Sequence, residues 1–177
     1  MYVLQIIING ILLGGIYAVL GVGMTMIFGI VKLTNLAHGE FVVLGAYAST
    51  LIAQALGVDP LLTLIVTIPI MFLIGMGLQT GLINRVMQKG SEPALLVTFG
   101  LSIILQDAML LVFTADARHA GAAYSSIVLK IGGISIALLD IILLVLSLVT
   151  ILVLTLFLNK TYMGRSIRAT SDDTQAA

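Results

Sequence analysis

The sequence predicts an all-α protein: a polytopic bundle of transmembrane helices with a broken helix near the N-terminus and a small extracytoplasmic hairpin. The first observation is composition, since 60% of the residues are hydrophobic and only 9% are charged. In a soluble domain about a quarter of all residues are charged, so this chain lacks the polar residues to cover a water-exposed surface. The second observation is a set of five long apolar stretches. The third is a cluster of polar residues between the first stretch and the second.

The five apolar stretches give the helical elements. A helix needs about 20 residues to cross about 30 Å of hydrocarbon. The first stretch is too long for one upright helix and the second is short. We therefore expect one full helix followed by a broken one, with the break inside the membrane rather than at its surface. The stretches cover residues 4–31, 41–56, 61–83, 94–113 and 138–158.

The Lys and Arg residues in the flanks predict the orientation, because cytoplasmic loops carry the excess of these residues. Alternation of the five spans puts six basic residues on one side and two on the other. Residues after 158 are therefore assigned to the cytoplasm, and the N-terminus and residues 114–137 to the outside. The larger group is Lys32, Arg85, Lys89, Lys160, Arg165 and Arg168; the smaller group is Arg118 and Lys130.

The extracytoplasmic residues 114–137 contain the only pattern typical of strands. Residues 127–131 and 134–136 are short β-prone runs on either side of Gly132 and Gly133. Two such runs about a Gly-Gly pair predict a β-hairpin. Its simplest role is to cap helix ends, and the alternative is docking of an external partner.

Several classes of function are excluded by what the sequence lacks. The eight basic and eight acidic residues cancel, so there is no basic field to hold nucleic acid. Cysteine is absent, which excludes disulfides and thiolate metal sites. The two histidines lie outside the apolar cores, and no nucleotide-binding loop or hydrolase motif is present. We expect no metal, no cofactor and no ATP bound by this chain itself.

Small and polar residues inside the spans have mainly structural interpretations. Glycines four residues apart let helix backbones approach closely in lipid. We expect packing within the bundle, with a subunit interface as the alternative. Two polar side chains, Asn9 and Gln79, are expected to form hydrogen bonds between helices. Asp107 is either a functional intramembrane carboxylate or a residue near the outer headgroups. The glycine pairs are Gly10 with Gly14 and Gly77 with Gly81.

The cluster between the first two stretches is here named the polar break, residues 33–40. It contains Asn35, His38, Gly39 and Glu40. Irregular backbone at membrane depth must be shielded by protein or line a water-filled cavity, and broken helices in transporters bind polar groups there. These four residues are therefore candidates for a substrate pathway or gate. The alternative is a cytoplasmic turn in which Asn35 caps one helix and Glu40 begins the next.

The segment after the last span is basic. Arg165 and Arg168 suit the cytoplasmic leaflet by their charge. Arg168 and Asp172 are spaced for an i,i+4 pair if residues 166–177 are helical. The simplest interpretation is a basic flank that satisfies the positive-inside bias.

Two motifs give the chain a family resemblance. The run Asn35-Leu36-Ala37-His38-Gly39-Glu40-Phe41, followed by Leu44-Gly45-Ala46-Tyr47, resembles the signature of branched-chain amino acid ABC transporter permeases. The run Thr161-Tyr162-Met163-Gly164-Arg165-Ser166-Ile167-Arg168-Ala169 is similar to the start of the family's cytoplasmic coupling loop. The combination is more specific than either motif alone.

The resemblance implies a membrane permease subunit of an ATP-driven importer in the bacterial inner membrane, and not an enzyme. Such a subunit pairs with a second permease, two cytoplasmic ABC ATPases that bind ATP and Mg, and an extracytoplasmic substrate-binding protein. It also implies that the polar break lies near the pathway. The residues assigned to the ATPase-coupling loop are Gly164, Arg165, Arg168 and Ala169.

The chain is shorter than members of this family, so residues 1–177 are expected to be the N-terminal part of one transmembrane domain. Residues 159–177 would begin its coupling loop. Three alternatives stay open: a urea or short-amide ABC permease, a passive membrane channel, and a purely structural membrane subunit. A channel needs no ATPase-docking loop, so the coupling motif argues against that alternative.

Overall fold

The computed structural model describes residues 2–32, 34–88, 90–114, 121–131 and 133–172. Seven helices and one hairpin are found in that part of the chain. A π-helical turn, Gln79–Ile83, joins α3 to α4, and a 3₁₀ turn, Ala123–Ser126, precedes the hairpin. The helices are α1 (Tyr2–Val31), α2 (His38–Leu56), α3 (Leu64–Leu78), α4 (Asn84–Met87), α5 (Ser91–Phe113), α6 (Leu138–Lys160) and α7 (Tyr162–Asp172); the strands are β1 (Val128–Ile131) and β2 (Ile134–Ala137).

The predicted fold class is confirmed. Five helical segments are long and apolar enough to cross a membrane: Tyr2–Ile30, His38–Leu56, Leu64–Met87, Glu92–Phe113 and Leu138–Lys160. They differ from the predicted spans mainly at their ends. Helices extend into polar residues because backbone hydrogen bonding continues there, whereas an apolar run marks only the part that faces lipid or protein.

Helix α1 is one continuous helix, not a full span with a break inside it. Its 30 residues correspond to about 45 Å at 1.5 Å per residue. It ends at Val31, and the next residue, Lys32, has a φ of 53°, in the left-handed region. The Lys32 N–H still donates to Phe28 O at 3.0 Å. The interruption expected from the length of the first apolar stretch therefore falls after Lys32, within the polar break; Leu33 lies outside the described residues.

The chain divides into two compact units, and the first contains Met1–Lys32 with Ala123–Ala177. Here α1 packs against α6. A Cβ placed on Gly15 would lie 2.6 Å from Leu144 Cδ1, so the absence of a side chain at Gly15 permits this close contact. Both helices begin near the hairpin and run in the same direction. This agrees with the three candidate spans that lie between them in the chain, because direction alternates from one span to the next.

The predicted hairpin is present, with Ile131 paired to Ile134 and Val128 paired to Ala137; Gly132 lies outside the described residues. Ser135 pairs with Lys130, next to the hydrogen-bonded pair of Ile131 and Ile134. Because hydrogen-bonded and non-hydrogen-bonded pairs alternate along the strands, the N–H and C=O groups of Ser135 face away from β1. The Gln5 side chain pairs with these groups: Nε2 donates to Ser135 O at 2.7 Å and Oε1 accepts from Ser135 N at 2.9 Å. The start of α1 and the hairpin are therefore at the same end of this unit, in agreement with the orientation predicted from basic residues.

The second unit, Leu33–Ala122, contains α2 to α5. Helices α2 and α3 are antiparallel, and Ser49 Oγ lies 2.6 Å from Thr63 Oγ1. One turn earlier on α2, a Cβ on Gly45 would lie 3.8 Å from Met71 Cγ. Gly45, Ser49 and Ala53 recur every four residues and form the small-residue face of this pair. The sequence interpretation had assigned close packing to other glycines.

Those other glycines do not pack as predicted. A Cβ on Gly10, Gly14, Gly77 or Gly81 would meet no described atom within 4 Å. The expected packing within the bundle is therefore not found at these four glycines among the described residues. Small residues four apart occur on every face of an apolar helix, so the spacing alone does not select the face that is packed.

The two predicted interhelical hydrogen bonds are also not found in the part of the chain that the structure describes. Asn9 Oδ1 accepts from Gln5 Nε2 at 3.0 Å, on the same helix. Gln79 Nε2 donates to Asn84 Oδ1 at 2.9 Å, across the π-helical turn between α3 and α4. In each case a partner one turn away was available, and a local bond needs no second helix at the right distance.

Candidate functional site

The polar break folds into a tight turn built around Asn35. Asn35 Oδ1 accepts from Ala37 N at 3.0 Å, and Asn35 O accepts from His38 N at 3.2 Å. An Asn side chain that binds the backbone two residues ahead stabilises a turn and not a helical conformation. Ala37, at the N-cap position of α2, makes no side-chain capping bond. Asn35 therefore shapes the entry into α2 without acting as its N-cap.

Helix α5 holds the polar break through a residue that the sequence interpretation missed. Thr98 is 0% exposed. Its Oγ1 accepts from Leu36 N at 3.4 Å and lies 3.4 Å from Thr34 O. Ala37 is also 0% exposed. Residues 34–37 are therefore packed against the second unit's own helices and are not a free loop.

The contact with Thr98 brings the polar break alongside a membrane-length helix. Thr98 stands six residues into the candidate span Glu92–Phe113, which is about 9 Å along the helix axis. In the middle of α2, the Tyr47 ring stacks on the ring of Phe113, the last residue of α5, with centroids 4.1 Å apart. Helices α2 and α5 are therefore parallel, and α2 begins within the depth that α5 spans. This geometry supports the intramembrane position of the break over a turn at the membrane surface.

The four predicted pathway residues come together in this first part of α2 and the turn before it. Asn35, His38 and Glu40 are half-buried, and Gly39 is exposed. The His38 Nε2 atom is buried and has no hydrogen-bond partner among the described residues. A Cβ on Gly39 would meet no described atom within 4 Å, so packing within this chain does not explain why glycine stands there.

The other predicted intramembrane candidate does not join this cluster. Asp107 is exposed on α5, six residues before Phe113, where the helix ends. That distance is about 9 Å from the outer end of the helix. Its position agrees with a side chain that reaches the headgroup region. The described residues contain no group of His, Asp or Glu side chains that could hold a metal ion.

The predicted coupling segment forms a sharp bend, here named the elbow, residues 157–165. Thr161 caps α7, since its Oγ1 accepts from Gly164 N at 3.0 Å. The same hydroxyl donates to Phe157 O at 2.7 Å. A Cβ on Gly164 would lie 2.5 Å from Leu158 Cα and against the Phe157 carbonyl oxygen. Gly164 is therefore required by the close approach of α7 to the end of α6.

Two of the remaining coupling residues are exposed on α7. Arg165 and Ala169 are exposed, and so are Tyr162 and Met163, at 83% and 68%. The Arg168 side chain lies outside the described part, as do the Asp172 side chain and residues 173–177. The i,i+4 pair expected between Arg168 and Asp172 thus stays a prediction, although α7 is helical as far as Asp172. Lys89 and Arg118, used for the orientation, also lie outside the described residues.

Comparison with known proteins supplies the family. The profile described as branched-chain amino acid transport system / permease component matches residues 6–177. The high-affinity branched-chain amino acid transport system permease protein LivH of Salmonella typhimurium is 30% identical over all of the chain and 61% of its own length. The corresponding protein BraD of Pseudomonas aeruginosa is 30% identical over 96% of the chain and 59% of its own length. LivH of Escherichia coli K12 is 29% identical over the same shares as the Salmonella protein.

The chain thus spans about three-fifths of the length of these relatives. No solved structure matches it. The predicted localisation, a multi-pass protein of the bacterial inner membrane, is confirmed by the family match and the five membrane-length helices. The resemblance carried by the polar break and the α7 motif is confirmed as well: the chain belongs to the family of branched-chain amino acid transport system permease components.

Proposed function

We propose that this chain is a membrane permease subunit of an ATP-driven importer for branched-chain amino acids, in which it provides alternating access to the substrate. The family description and the printed names of its relatives support this function. The observation that carries the proposal is the polar break: its residues precede the start of α2 and contact Thr98 of an apolar, membrane-length helix. In transporters, polar helix starts of this kind bind substrates and ions. Asn35, His38, Gly39 and Glu40 are the proposed pathway or gate residues.

The energy source lies on other subunits. The proposed assembly contains a second permease subunit, two cytoplasmic ABC ATPases that bind ATP and Mg, and an extracytoplasmic substrate-binding protein. The elbow supports an ATPase contact on α7, because it fixes the start of a short helix directly after α6 while Arg165 and Ala169 stay exposed. Within this segment, Gly164 packs against α6 and positions the helix. Arg165, Arg168 and Ala169 are the proposed contact residues.

Uptake by the assembled transporter tests the proposal. Proteoliposomes that contain this chain with its partner subunits are supplied with the external binding protein and radiolabelled leucine. We expect accumulation with enclosed ATP and none with ADP, and competition by unlabelled isoleucine and valine. Uptake of urea in place of leucine would support the short-amide alternative. Leucine flux that is independent of ATP would support a passive channel and overturn the proposal.

A charge reversal tests the coupling segment separately. The double variant Arg165→Glu, Arg168→Glu is expected to abolish transport-stimulated ATP hydrolysis, because two basic groups that face the cytoplasmic partner become acidic. Lys130→Glu is the control, since Lys130 is an exposed basic residue on the hairpin. Unchanged stimulation and uptake in the double variant would reject an ATPase contact at α7.

A further inference from the structure

Thr98 differs from most hydroxyl residues in the helices of this chain. Five hydroxyls in the described spans donate to the carbonyl four residues earlier on their own helix, at Thr25, Thr50, Thr80, Ser147 and Thr150. Ser102 donates to the carbonyl three residues earlier. Thr98 Oγ1 lies 2.9 Å from Leu95 O, three residues earlier, but also 3.4 Å from two backbone groups of the polar break. Its side chain is fully buried between the two segments.

The hydrogen-bonding capacity of this hydroxyl is shared between α5 and the polar break. A hydroxyl has one proton and two acceptor lone pairs. Oγ1 can accept from Leu36 N–H and donate either to Leu95 O within α5 or to Thr34 O across the contact. The shorter distance favours Leu95. The polar break is then held only by the long hydrogen bond from Leu36 N to Thr98 Oγ1. If the hydroxyl rotates toward Thr34 O, it forms a second bond to the break.

This contact matters because of where it lies. The backbone of residues 34–37 is irregular, and at membrane depth its polar groups need protein or enclosed water as partners. Thr98 is the buried side chain that supplies such a partner to both Leu36 N and Thr34 O. Both distances, at 3.4 Å, exceed the usual range of protein hydrogen bonds, so small movements of the break relative to α5 make or break these contacts.

We propose that Thr98 is a positioning residue for transport: its hydroxyl bonds the polar break to α5 and so sets the depth at which α2 begins. When these hydrogen bonds break, the first turn of α2 moves relative to α5 and the access of water to the polar break changes. This inference rests on the proposed function, because it assigns Thr98 to the gate through residues 34–40. Thr98 itself does not contact the substrate in this account.

Three substitutions separate the hydroxyl from the volume of the side chain. Thr98→Ser keeps the hydroxyl, Thr98→Val keeps the volume, and Thr98→Ala keeps neither. Thr50→Val is the matched control, because the Thr50 hydroxyl bonds only to Ala46 O of its own helix in the same unit. Each is combined with Gly39→Cys as a reporter, since Gly39 is exposed and a Cβ there meets no described atom. The chain contains no other cysteine.

The readout is the rate at which a small membrane-impermeant thiol reagent modifies the reporter from the cytoplasmic side, in the assembled transporter without nucleotide. We expect the Val and Ala variants to change this rate on the order of five- to tenfold, the equilibrium factor that corresponds to one lost hydrogen bond. The Ser variant and the Thr50→Val control should match the parent.

Two outcomes would overturn the inference: Val matching the parent while Ser changes like Ala, or all three leaving the rate unchanged. If the Thr98→Val variant fails to assemble, the labelling rates of Thr98→Ser and Thr98→Ala test the inference, because these two variants differ only by the hydroxyl and its hydrogen bonds. Labelling does not depend on transport. If the transporter takes up no leucine but its labelling rates depend on the Thr98 hydroxyl, the proposed function is rejected and the positioning role of Thr98 is retained.

Discussion

The two joints that follow the long helices α1 and α6 are built in opposite ways. After α1 the chain passes through Lys32, a non-glycine residue with positive φ, and α2 then begins without a side-chain cap. After α6, Thr161 binds both the end of one helix and the start of the next. At the first joint, backbone groups of the polar break depend on Thr98 of another helix for hydrogen bonds. At the second joint, Thr161 within the joint itself bonds to the backbone of both helices.

The motif glycines at the two joints show the same contrast. Gly39 has open space where a side chain would be, whereas Gly164 has backbone atoms of Phe157 and Leu158 at that place. The tight joint suits a segment that must transmit movement without bending. The open joint suits a segment whose polar groups are presented to something outside this unit. Four substitutions test this contrast, from the largest expected effect to the smallest.

Gly164→Ala is expected to disrupt the elbow. The new Cβ would overlap the end of α6, and backbone cannot move aside as a flexible side chain can. Overpacking of this kind costs about 3 kcal/mol. We expect a clear drop in the thermal unfolding midpoint of the detergent-solubilised transporter and loss of stimulated ATP hydrolysis. An unchanged midpoint would show that α7 is not packed on α6 as described.

Thr161→Val removes the cap of α7 while it keeps the shape of the side chain. Loss of such an N-cap costs about 1 kcal/mol, so the unfolding midpoint should fall by less than in Gly164→Ala. Thr161→Ser retains the hydroxyl and should behave like the parent. Thr150→Val is a second control, because its hydroxyl bonds only within α6. Equal midpoints for Val and Ser at position 161 would contradict the capping role.

Lys32→Gly is expected to stabilise the first joint. Glycine adopts positive φ without the steric penalty of a side chain. Part of this gain is offset by the greater freedom of glycine in the unfolded chain, so the net gain is about 0.5 kcal/mol. Lys130→Gly, in strand β1, is the control and should lower the unfolding midpoint. A lower midpoint for Lys32→Gly would mean that the side chain makes a stabilising contact in the assembled transporter.

Gly39→Ala should leave stability unchanged or raise it by about 0.3 kcal/mol, because alanine favours helix and the space is open. If this face of α2 borders the substrate route, leucine uptake should slow although the protein is no less stable. A fall in the unfolding midpoint would place a packing partner against Gly39. Unchanged uptake would remove Gly39 from the pathway residues.

Much of the fold could be predicted because lipid imposes a simple rule on it. An apolar run of membrane length has to be helical to satisfy its backbone, so five helices follow from five runs. The hairpin follows from local β propensity about Gly132 and Gly133. The ends of the helices could not be predicted from apolar runs, since α2 begins at the polar residue His38 and α4 extends α3 past Asn84.

The contacts between helices could not be predicted in the same way. Thr98 meets residues that precede it by 62 and 64 positions, and nothing in its immediate neighbours distinguishes it from threonines that bond within their own helix. Gly15 and Gly45 pack closely while Gly10 and Gly14 do not. The motif around Gly164 marked the elbow as important, but only the position of the α6 backbone explains why glycine is needed there.

The central claim is that the polar break lies inside the membrane and faces an aqueous route for the substrate. Single cysteines at Asn35 and His38 in the assembled transporter, with Val43→Cys on the exposed surface of α2 as reference, test it most directly. The account predicts that an impermeant thiol reagent modifies positions 35 and 38 in at least one nucleotide state, that leucine slows this reaction, and that lipid protects position 43 throughout. Complete protection of both positions in every nucleotide state, or rapid modification that neither nucleotide nor leucine alters, would contradict it.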